Sequence, residues 1–206
     1  ANQAKLSQIN NPEILKKMAN AAVLCEPDAV FIATGSEEDR QFVRDLSLEK
    51  GEESKLPMEG HTIHYDLKEE QGRIIDRTFY IHNEGEEVNT LALKKDRAEA
   101  LDDIRDKMTG IMKGKLMMVG FYMRGPLGAA AANPAVEISS STYVMHSADI
   151  LYRNVFAAID GEVEKLGHFY TNIHSEGRNR SEDLPNARVF MDRSHLTTYS
   201  FNCTYA

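Results

Sequence analysis

Apolar residues recur with two different periods along this chain, and the two periods predict helices alternating with strands. A helix should begin at Asn11-Pro12-Glu13, because Asn is a favourable N-cap, Pro suits the first helical position and Glu faces the positive helix end. A second helix should follow Ser36 as its N-cap and end at Lys50-Gly51. The clearest helical spacing lies in residues 96–112, where the apolar positions recur at intervals of three and four.

The strand-like segments lie between these helices. Continuous apolar runs at residues 29–33 and 116–123 are typical of buried strands. Weaker patterns predict strands at 73–82, 136–138 and 142–145, a helix at 148–166 and two short β segments after residue 188. Because helices and strands alternate, we expect an α/β fold: a mixed sheet with flanking helices, in a single domain over residues 1–206.

Composition narrows the classes of function. The 206 residues carry 24 Lys and Arg against 32 Asp and Glu, a net charge of −8, which argues against nucleic acid or an anionic membrane as the main partner. No segment approaches the ~20 apolar residues of a membrane span. Two cysteines, with no leader-like apolar segment at residue 1, are typical of a reducing compartment and predict a cytoplasmic protein. The sequence stops at Ala206, only three residues after a predicted strand at 197–203, which suggests a fragment of a longer protein.

The residues considered alone offer no complete active site. His61 and His64 would point to opposite faces of a strand, so they do not form a metal site. Cys25 ends a helix, where a thiolate is disfavoured, and Cys203 lies in an apolar segment. Asp102 and Asp103 should be solvated on their amphipathic helix. No Gly-x-x-x-x-Gly-Lys-Ser/Thr loop is present, which argues against a self-contained nucleotide enzyme.

Several segments together resemble the N-terminal domain of GTP-dependent phosphoenolpyruvate carboxykinase. The segments, in chain order, are Cys25-Glu26-Pro27-Asp28, Gly35-Ser36-Glu37-Glu38, Met112-Lys113-Gly114-Lys115, Gly125-Pro126-Leu127-Gly128 and Ser141-Thr142-Tyr143-Val144. The resemblance covers roughly residues 10–206. It implies a parent enzyme of gluconeogenesis, a lyase and kinase that converts oxaloacetate and GTP into phosphoenolpyruvate, GDP and CO₂.

The same resemblance implies a division of labour. Oxaloacetate or phosphoenolpyruvate would bind partly to this domain. GTP and Mn²⁺ or Mg²⁺ would be bound by a C-terminal catalytic domain absent from the sequence. We therefore expect no catalytic, cofactor-binding or metal-binding residue here, and a fragment that is inactive alone. Gly72-Arg73-Ile74 matches the family's substrate loop, so Arg73 would hold a substrate carboxylate or phosphate. Tyr205 matches a substrate-binding tyrosine of the family.

The tail departs from the family pattern. Asn202, Thr204 and Ala206 stand where the family has glycines, and a Cβ there can shift a bound anion. Two alternatives stay open, the first because of this tail and the second because the sequence has no P-loop. One is a diverged carboxykinase that uses pyrophosphate or another phosphoryl donor. The other is a non-catalytic binding or regulatory domain with the same fold.

Overall fold

The computed structural model describes residues 2–66, 75–88, 93–177 and 184–204. These residues form one large mixed sheet with helices on both faces and a separate two-stranded hairpin. The α-helices of the described residues are α1 (Asn2–Leu6), α2 (Pro12–Cys25), α3 (Glu37–Glu49), α4 (Arg97–Met108), α5 (Thr142–Leu151) and α6 (Ile159–Leu166). The predicted α/β class with a mixed sheet is confirmed.

Most strands belong to the large sheet, while β2 and β3 pair only with each other. The strands are β1 (Ala29–Ala33), β2 (Ser54–Lys55), β3 (Thr62–Ile63), β4 (Thr78–His82), β5 (Leu93–Asp96), β6 (Leu116–Arg124), β7 (Asn133–Ser139), β8 (Arg153–Asn154), β9 (Tyr170–Ser175), β10 (Arg188–Asp192) and β11 (Thr197–Phe201). Short 3₁₀ helices cover Ile75–Arg77, Phe156–Ala158 and Leu184–Asn186.

Strand order in the large sheet differs from chain order. The sequence of neighbours is β1-β6-β7-β9-β11-β10-β4-β5, with β8 paired to the far end of β6. β7, β9 and β11 run parallel to one another and antiparallel to β6 and β10. The carboxyl ends of β7, β9 and β11 therefore lie at one edge of the sheet, where β6, β10 and β4 begin.

Side-chain alternation divides the core between the two faces of the sheet. Met117, Val119, Phe121 and Met123 of β6 face α2, α4 and α6, which cover the larger hydrophobic cluster. Met118 and Tyr122 point to the opposite face, where α3 and α5 pack. Among the described residues no helix is both long enough and apolar enough to cross a membrane.

Helix starts agree with the capping signals in the sequence. The Asn11 side chain accepts from the backbone N–H groups of Glu13 and Ile14, at 3.0 and 3.1 Å, and α2 begins at Pro12 as predicted. Ser36 likewise accepts from the Asp39 N–H at 3.2 Å and begins α3. These starts depend on local chemistry, which is why sequence alone locates them.

Two predicted segments around residue 145 are wrong. Residues 142–145 are the first turn of α5 rather than a strand, because Ser141 caps the helix by accepting from the Val144 N–H. The predicted helix at 148–166 is broken into α5, β8, a 3₁₀ turn and α6. The break arises where Arg153 and Asn154 pair with Met123 and Tyr122 of β6, a contact that local sequence does not reveal.

Other boundaries move by a few residues. The helix predicted at 96–112 ends at Met108, and Met112 is buried in the turns that follow. The strand predicted at 73–82 begins only at Thr78, after a 3₁₀ turn. β11 ends at Phe201, so the predicted strand over 197–203 is two residues too long.

Candidate functional site

The carboxyl ends of β7, β9 and β11 form a cluster of polar residues, nearly all buried, that we call the polar edge. It consists of Ser139, Ser140 and Ser141 after β7, His174 and Ser175 of β9, and residues 202–204 after β11. Ser139, His174 and Ser200 are direct neighbours across these three strands and share the face on which α5 packs. All of the edge residues are buried except Cys203, which is half-buried.

Arg73 and Tyr205, the predicted substrate-binding residues, lie outside the described residues. Their described neighbours in the chain are Ile75, which begins the turn before β4, and Thr204, which follows β11. Thr78 pairs with Val189 and Val189 with Ser200, so Thr78 and Ser200 share one row, about 10 Å apart across two strand spacings. The chain segments that adjoin both predicted residues therefore meet the sheet at the polar edge.

His174 lies at the centre of the polar edge. Its Nε2 is 2.7 Å from the Cys203 carbonyl oxygen, which can only accept, so Nε2 carries the proton. Its Nδ1 then accepts from the Ser139 hydroxyl at 2.8 Å, and Ser139 Oγ accepts in turn from the Ser141 N–H at 3.0 Å. Burial lowers the pKa of His174 to about 4, with the Cys203 hydrogen bond opposing that shift, so the ring is neutral at pH 7.

The turn after β11 also rests on β9. The Asn202 N–H donates to the Ser175 carbonyl at 2.9 Å, and the Ser140 and Ser175 hydroxyls are 3.0 Å apart. Asn202 has a φ of 54°, a left-handed conformation that suits glycine and that Asn tolerates better than most residues. This backbone geometry explains how Asn occupies the first position where the resembling family has glycine.

Glu52 connects the segment before residue 67 to the polar edge. Its Oε2 accepts from the Ser141 hydroxyl at 2.7 Å and from the Tyr143 N–H at 2.9 Å. This places a carboxylate at the N-terminus of α5, where the helix dipole favours negative charge. Lys50 lies 3.7 Å from the other carboxylate oxygen.

Glu53 holds the same segment against the side of α5. His146 Nδ1 lies 2.9 Å from Glu53 Oε2, and the Thr62 hydroxyl donates to Oε1 at 2.7 Å. Burial alone would raise the pKa of Glu53, but the hydrogen bonds from His146 and Thr62 lower it to about 2. The His64 ring also stacks on Tyr143, with the ring centroids 3.7 Å apart. Residues 52–64, which lead toward Arg73, are thus fastened to the start of α5.

A cavity of about 160 Å³ opens on the same sheet face, two residues before the polar edge along β7. Glu137 lines it, buried, and both of its carboxyl oxygens lie within 3.1 Å of the Asn172 amide nitrogen. Burial raises the pKa of Glu137 to about 8, although Asn172 and Arg124 act to lower it. At neutral pH this carboxyl is therefore mostly protonated.

Of these residues, Glu137 could have been recognised from the sequence, whereas His174 and Glu52 could not. Glu137 lies inside the apolar run Ala135-Val136-Glu137-Ile138, and an acid within a buried strand is a recognisable site signal that our sequence reasoning did not use. His174 and Glu52 carry no such mark, because their partners lie 29 and 89 residues away in the chain.

The remaining sequence candidates take other roles. Burial raises the pKa of the Cys25 thiol to about 12 and that of Cys203 to about 11, so both are protonated near neutrality. Asp102 is exposed as predicted, but the prediction for Asp103 is wrong. Asp103 is largely buried and lies 2.9 Å from Lys95 Nζ and 2.5 Å from Lys107 Nζ.

The part of the chain that the structure describes contains no group of side chains suited to binding a metal ion. No three His, Cys, Asp or Glu side chains converge there in a way that could hold an ion. Glu52 Oε2 already accepts from a hydroxyl and a backbone N–H, Lys50 lies 3.7 Å from Glu52 Oε1, and Glu53 is paired with His146 and Thr62. The described residues therefore do not fit a bound metal.

Comparison with known proteins agrees with the resemblance read from the motifs. Residues 17–206 match the family model for the phosphoenolpyruvate carboxykinase N-terminal domain. Phosphoenolpyruvate carboxykinase [GTP] of Saccharolobus solfataricus is 36% identical over 98% of this chain, and that of Thermococcus sibiricus is 38% identical over 98%. The protein of the same name from Corynebacterium jeikeium is 26% identical over 81% of the chain.

The matches extend over only part of each relative. The aligned region is 32% of the Saccharolobus protein, 33% of the Thermococcus protein and 28% of the Corynebacterium protein, so the chain spans about a third of their length. The match over residues 17–206 covers nearly all of this sequence. The chain belongs to the phosphoenolpyruvate carboxykinase N-terminal domain family.

Proposed function

We propose that residues 1–206 are the substrate-binding N-terminal domain of a GTP-dependent phosphoenolpyruvate carboxykinase. The observation that carries the proposal is the polar edge. The segments adjoining Arg73 and Tyr205 reach the same edge of the sheet. There His174 binds the turn before Tyr205, and Glu52, in the segment that leads toward Arg73, binds Ser141. Two segments held so close together suit the binding of one small substrate between them.

The proposed reaction begins with oxaloacetate. Its C–C bond to the departing carboxylate breaks, CO₂ leaves, and the electron pair forms an enolate. The enolate oxygen then bonds to the γ-phosphorus of GTP as the bond to GDP breaks, giving phosphoenolpyruvate. GTP and Mn²⁺ or Mg²⁺, which would offset the charge of the phosphates, belong to the proposed C-terminal domain.

This chain's own residues would bind and shield the substrate. Arg73 can donate two parallel hydrogen bonds to a carboxylate or phosphate, and closing its segment would exclude water that protonates the enolate. Tyr205 would contact the same substrate beside Arg73. A neutral Glu137 fits this role, because it places no added negative charge on the sheet face that would receive an anion.

The location of the protein in the cell is part of the same proposal. Two thiols, both protonated near neutrality, suit a reducing cytoplasm, and we propose that the protein acts there.

The test is Arg73→Ala in the full-length protein, of which we propose this chain to be the N-terminal part. Removing a charged donor to the substrate should lower kcat/KM for oxaloacetate by about 30-fold or more. Arg73→Lys should recover part of the loss, because it keeps the charge but not the paired donors. Arg105→Ala, which removes an exposed arginine paired with Asp102 on α4, is the matched control. Near-normal kinetics for Arg73→Ala would contradict the proposal.

A second candidate is a carboxykinase with another phosphoryl donor. Thr204 favours it, because its side chain is buried where the family has glycine, and its hydroxyl finds no hydrogen-bond partner among the described residues. Turnover of oxaloacetate with GTP, ATP and pyrophosphate, measured side by side, separates the two candidates. Binding of oxaloacetate without turnover by any donor would instead favour the non-catalytic domain.

A further inference from the structure

His174 is buried within β9 and uses both of its ring nitrogens. One nitrogen accepts from the Ser139 hydroxyl and the other donates to the Cys203 carbonyl, two residues before Tyr205. We propose that His174 is a positioning residue for substrate binding: by donating to the Cys203 carbonyl it sets where the chain runs on toward Tyr205. This inference rests on the proposed function, since Tyr205 is the residue it would position.

The direction of each hydrogen bond is determined by its neighbours. The Ser141 backbone N–H can only donate, so Ser139 Oγ accepts from it and offers its own proton to His174 Nδ1. His174 is then left with its proton on Nε2, pointed at a carbonyl oxygen 2.7 Å away. The neutral ring at pH 7 keeps this single arrangement, because burial disfavours a second proton.

The hydrogen bond from His174 acts at the point where the turn after β11 leads on to Tyr205. Asn202 is held by its N–H, and Cys203 Sγ lies 2.9 Å from the Ser200 hydroxyl, so the turn rests on β9 and β11. The His174 bond acts farther along the chain, at the peptide group that joins Cys203 to Thr204. A half-buried carbonyl deprived of its donor tends to move toward water, and the residues that follow it would move too.

Two substitutions separate the hydrogen bond from the packing of the ring. A glutamine amide nitrogen reaches about as far as Nε2, so His174→Gln can still donate to the Cys203 carbonyl. An asparagine reaches only as far as Nδ1, so His174→Asn can still accept from Ser139 but leaves the carbonyl without its donor. His168→Asn is the matched control, because His168 precedes the opposite end of β9 and its Nδ1 lies 3.0 Å from the Leu166 carbonyl.

The first measurement is amide hydrogen exchange of the segment around residues 203–205 in the full-length protein. We expect His174→Asn to speed exchange there about tenfold, the equivalent of one lost buried hydrogen bond. His174→Gln and His168→Asn should stay within about twofold of the parent protein. Equal exchange in the Asn and Gln variants would overturn the proposal.

The second measurement is steady-state kinetics on the same proteins. His174→Asn should raise KM for oxaloacetate about tenfold while KM for GTP stays unchanged. His174→Gln should return KM for oxaloacetate to the value of the parent protein. A general loss of folding would instead lower the active fraction without changing either KM. Faster exchange in the Asn variant without a rise in KM for oxaloacetate would overturn the positioning role.

If neither variant folds, Ser139→Ala tests the proposal instead. It removes the proton offered to Nδ1 and frees the ring to take the other tautomer, which cannot donate to the Cys203 carbonyl. Exchange about threefold faster around residues 203–205 supports the proposal, and unchanged exchange overturns it. Failure of the proposed function is seen separately, as absence of carboxykinase turnover in the parent protein, while the exchange data still report on the contact itself.

Discussion

Replacing Glu137 by glutamine should make the chain more stable at pH 8 and should remove most of its loss of stability between pH 5 and 8. Glutamine resembles the protonated carboxyl in shape and keeps an oxygen that can accept from the Asn172 amide, 2.8 Å from Glu137 Oε1 in the present structure. It cannot ionise, so it never places a negative charge in this buried position.

The magnitude follows from the pKa of Glu137, raised by burial from 4.5 to about 8. Between these values the unfolded chain releases the proton while the folded chain retains it. Stability therefore falls as pH rises, by ~1.4 kcal/mol per pH unit. Because the slope is smaller close to each pKa, Glu137 would remove about 4 kcal/mol between pH 4.5 and 8, which glutamine avoids. For a chain of this length that corresponds to a melting temperature roughly 10 °C higher at pH 8.

Urea unfolding and thermal melting of the parent chain and Glu137→Gln, each at pH 5, 6, 7 and 8, measure the effect. The two stabilities should diverge steadily as pH rises. Glu99→Gln, at an exposed carboxylate on α4, controls for the loss of one acid. Parallel pH dependences in the parent and Glu137→Gln would refute the reasoning, because they would mean that Glu137 ionises normally in the folded chain.

Further predictions use the same urea assay. Gly120→Ala should cost about 1–3 kcal/mol, because its Cβ would lie 2.6 Å from the Tyr122 ring. Gly161→Ala in α6, with no heavy atom within 4 Å of the added Cβ, should instead gain about 0.5–1 kcal/mol, and equal effects would contradict both. Glu53→Gln should cost about 2 kcal/mol at pH 7: lowering the pKa of Glu53 from 4.5 to about 2 is equivalent to ~3 kcal/mol, and solvent screening reduces that figure. That stabilisation is present above pH 4.5 and is lost as pH falls toward 2, so the difference from the parent should shrink there; a constant difference would argue against the pairing with His146.

Local chemistry explains which parts of the fold the sequence could predict. Asn11 and Ser36 cap the helices that follow them with their own side chains. The continuous apolar run at 116–123 favours a buried strand whatever its neighbours in the sheet are. Residues 142–145 misled the prediction because Thr, Tyr and Val favour strands when nothing else acts on them. Glu52, about ninety residues earlier, binds the N–H of Tyr143 and helps to begin a helix there instead.

The site was predictable only in outline. Arg73 and Tyr205 came from resemblance to a family and not from any pattern in their surroundings, and both stay predictions. His174 could not be recognised in advance, because a histidine in a strand becomes informative only when its two partners are known. Those partners come from β7 and from the turn after β11, which the fold alone brings together.

The strand order also has a consequence for how this protein is made. β4 and β5 are synthesised early, yet the inner neighbour of β4 is β10, more than a hundred residues later in the chain. While the ribosome extends the chain between them, β4 has an unpaired inner edge, and so does β9 until β11 emerges. Such edges invite pairing with other nascent chains. Folding of this sheet should therefore be completed late and slowly, by insertion of the β10–β11 hairpin between two halves that are already formed.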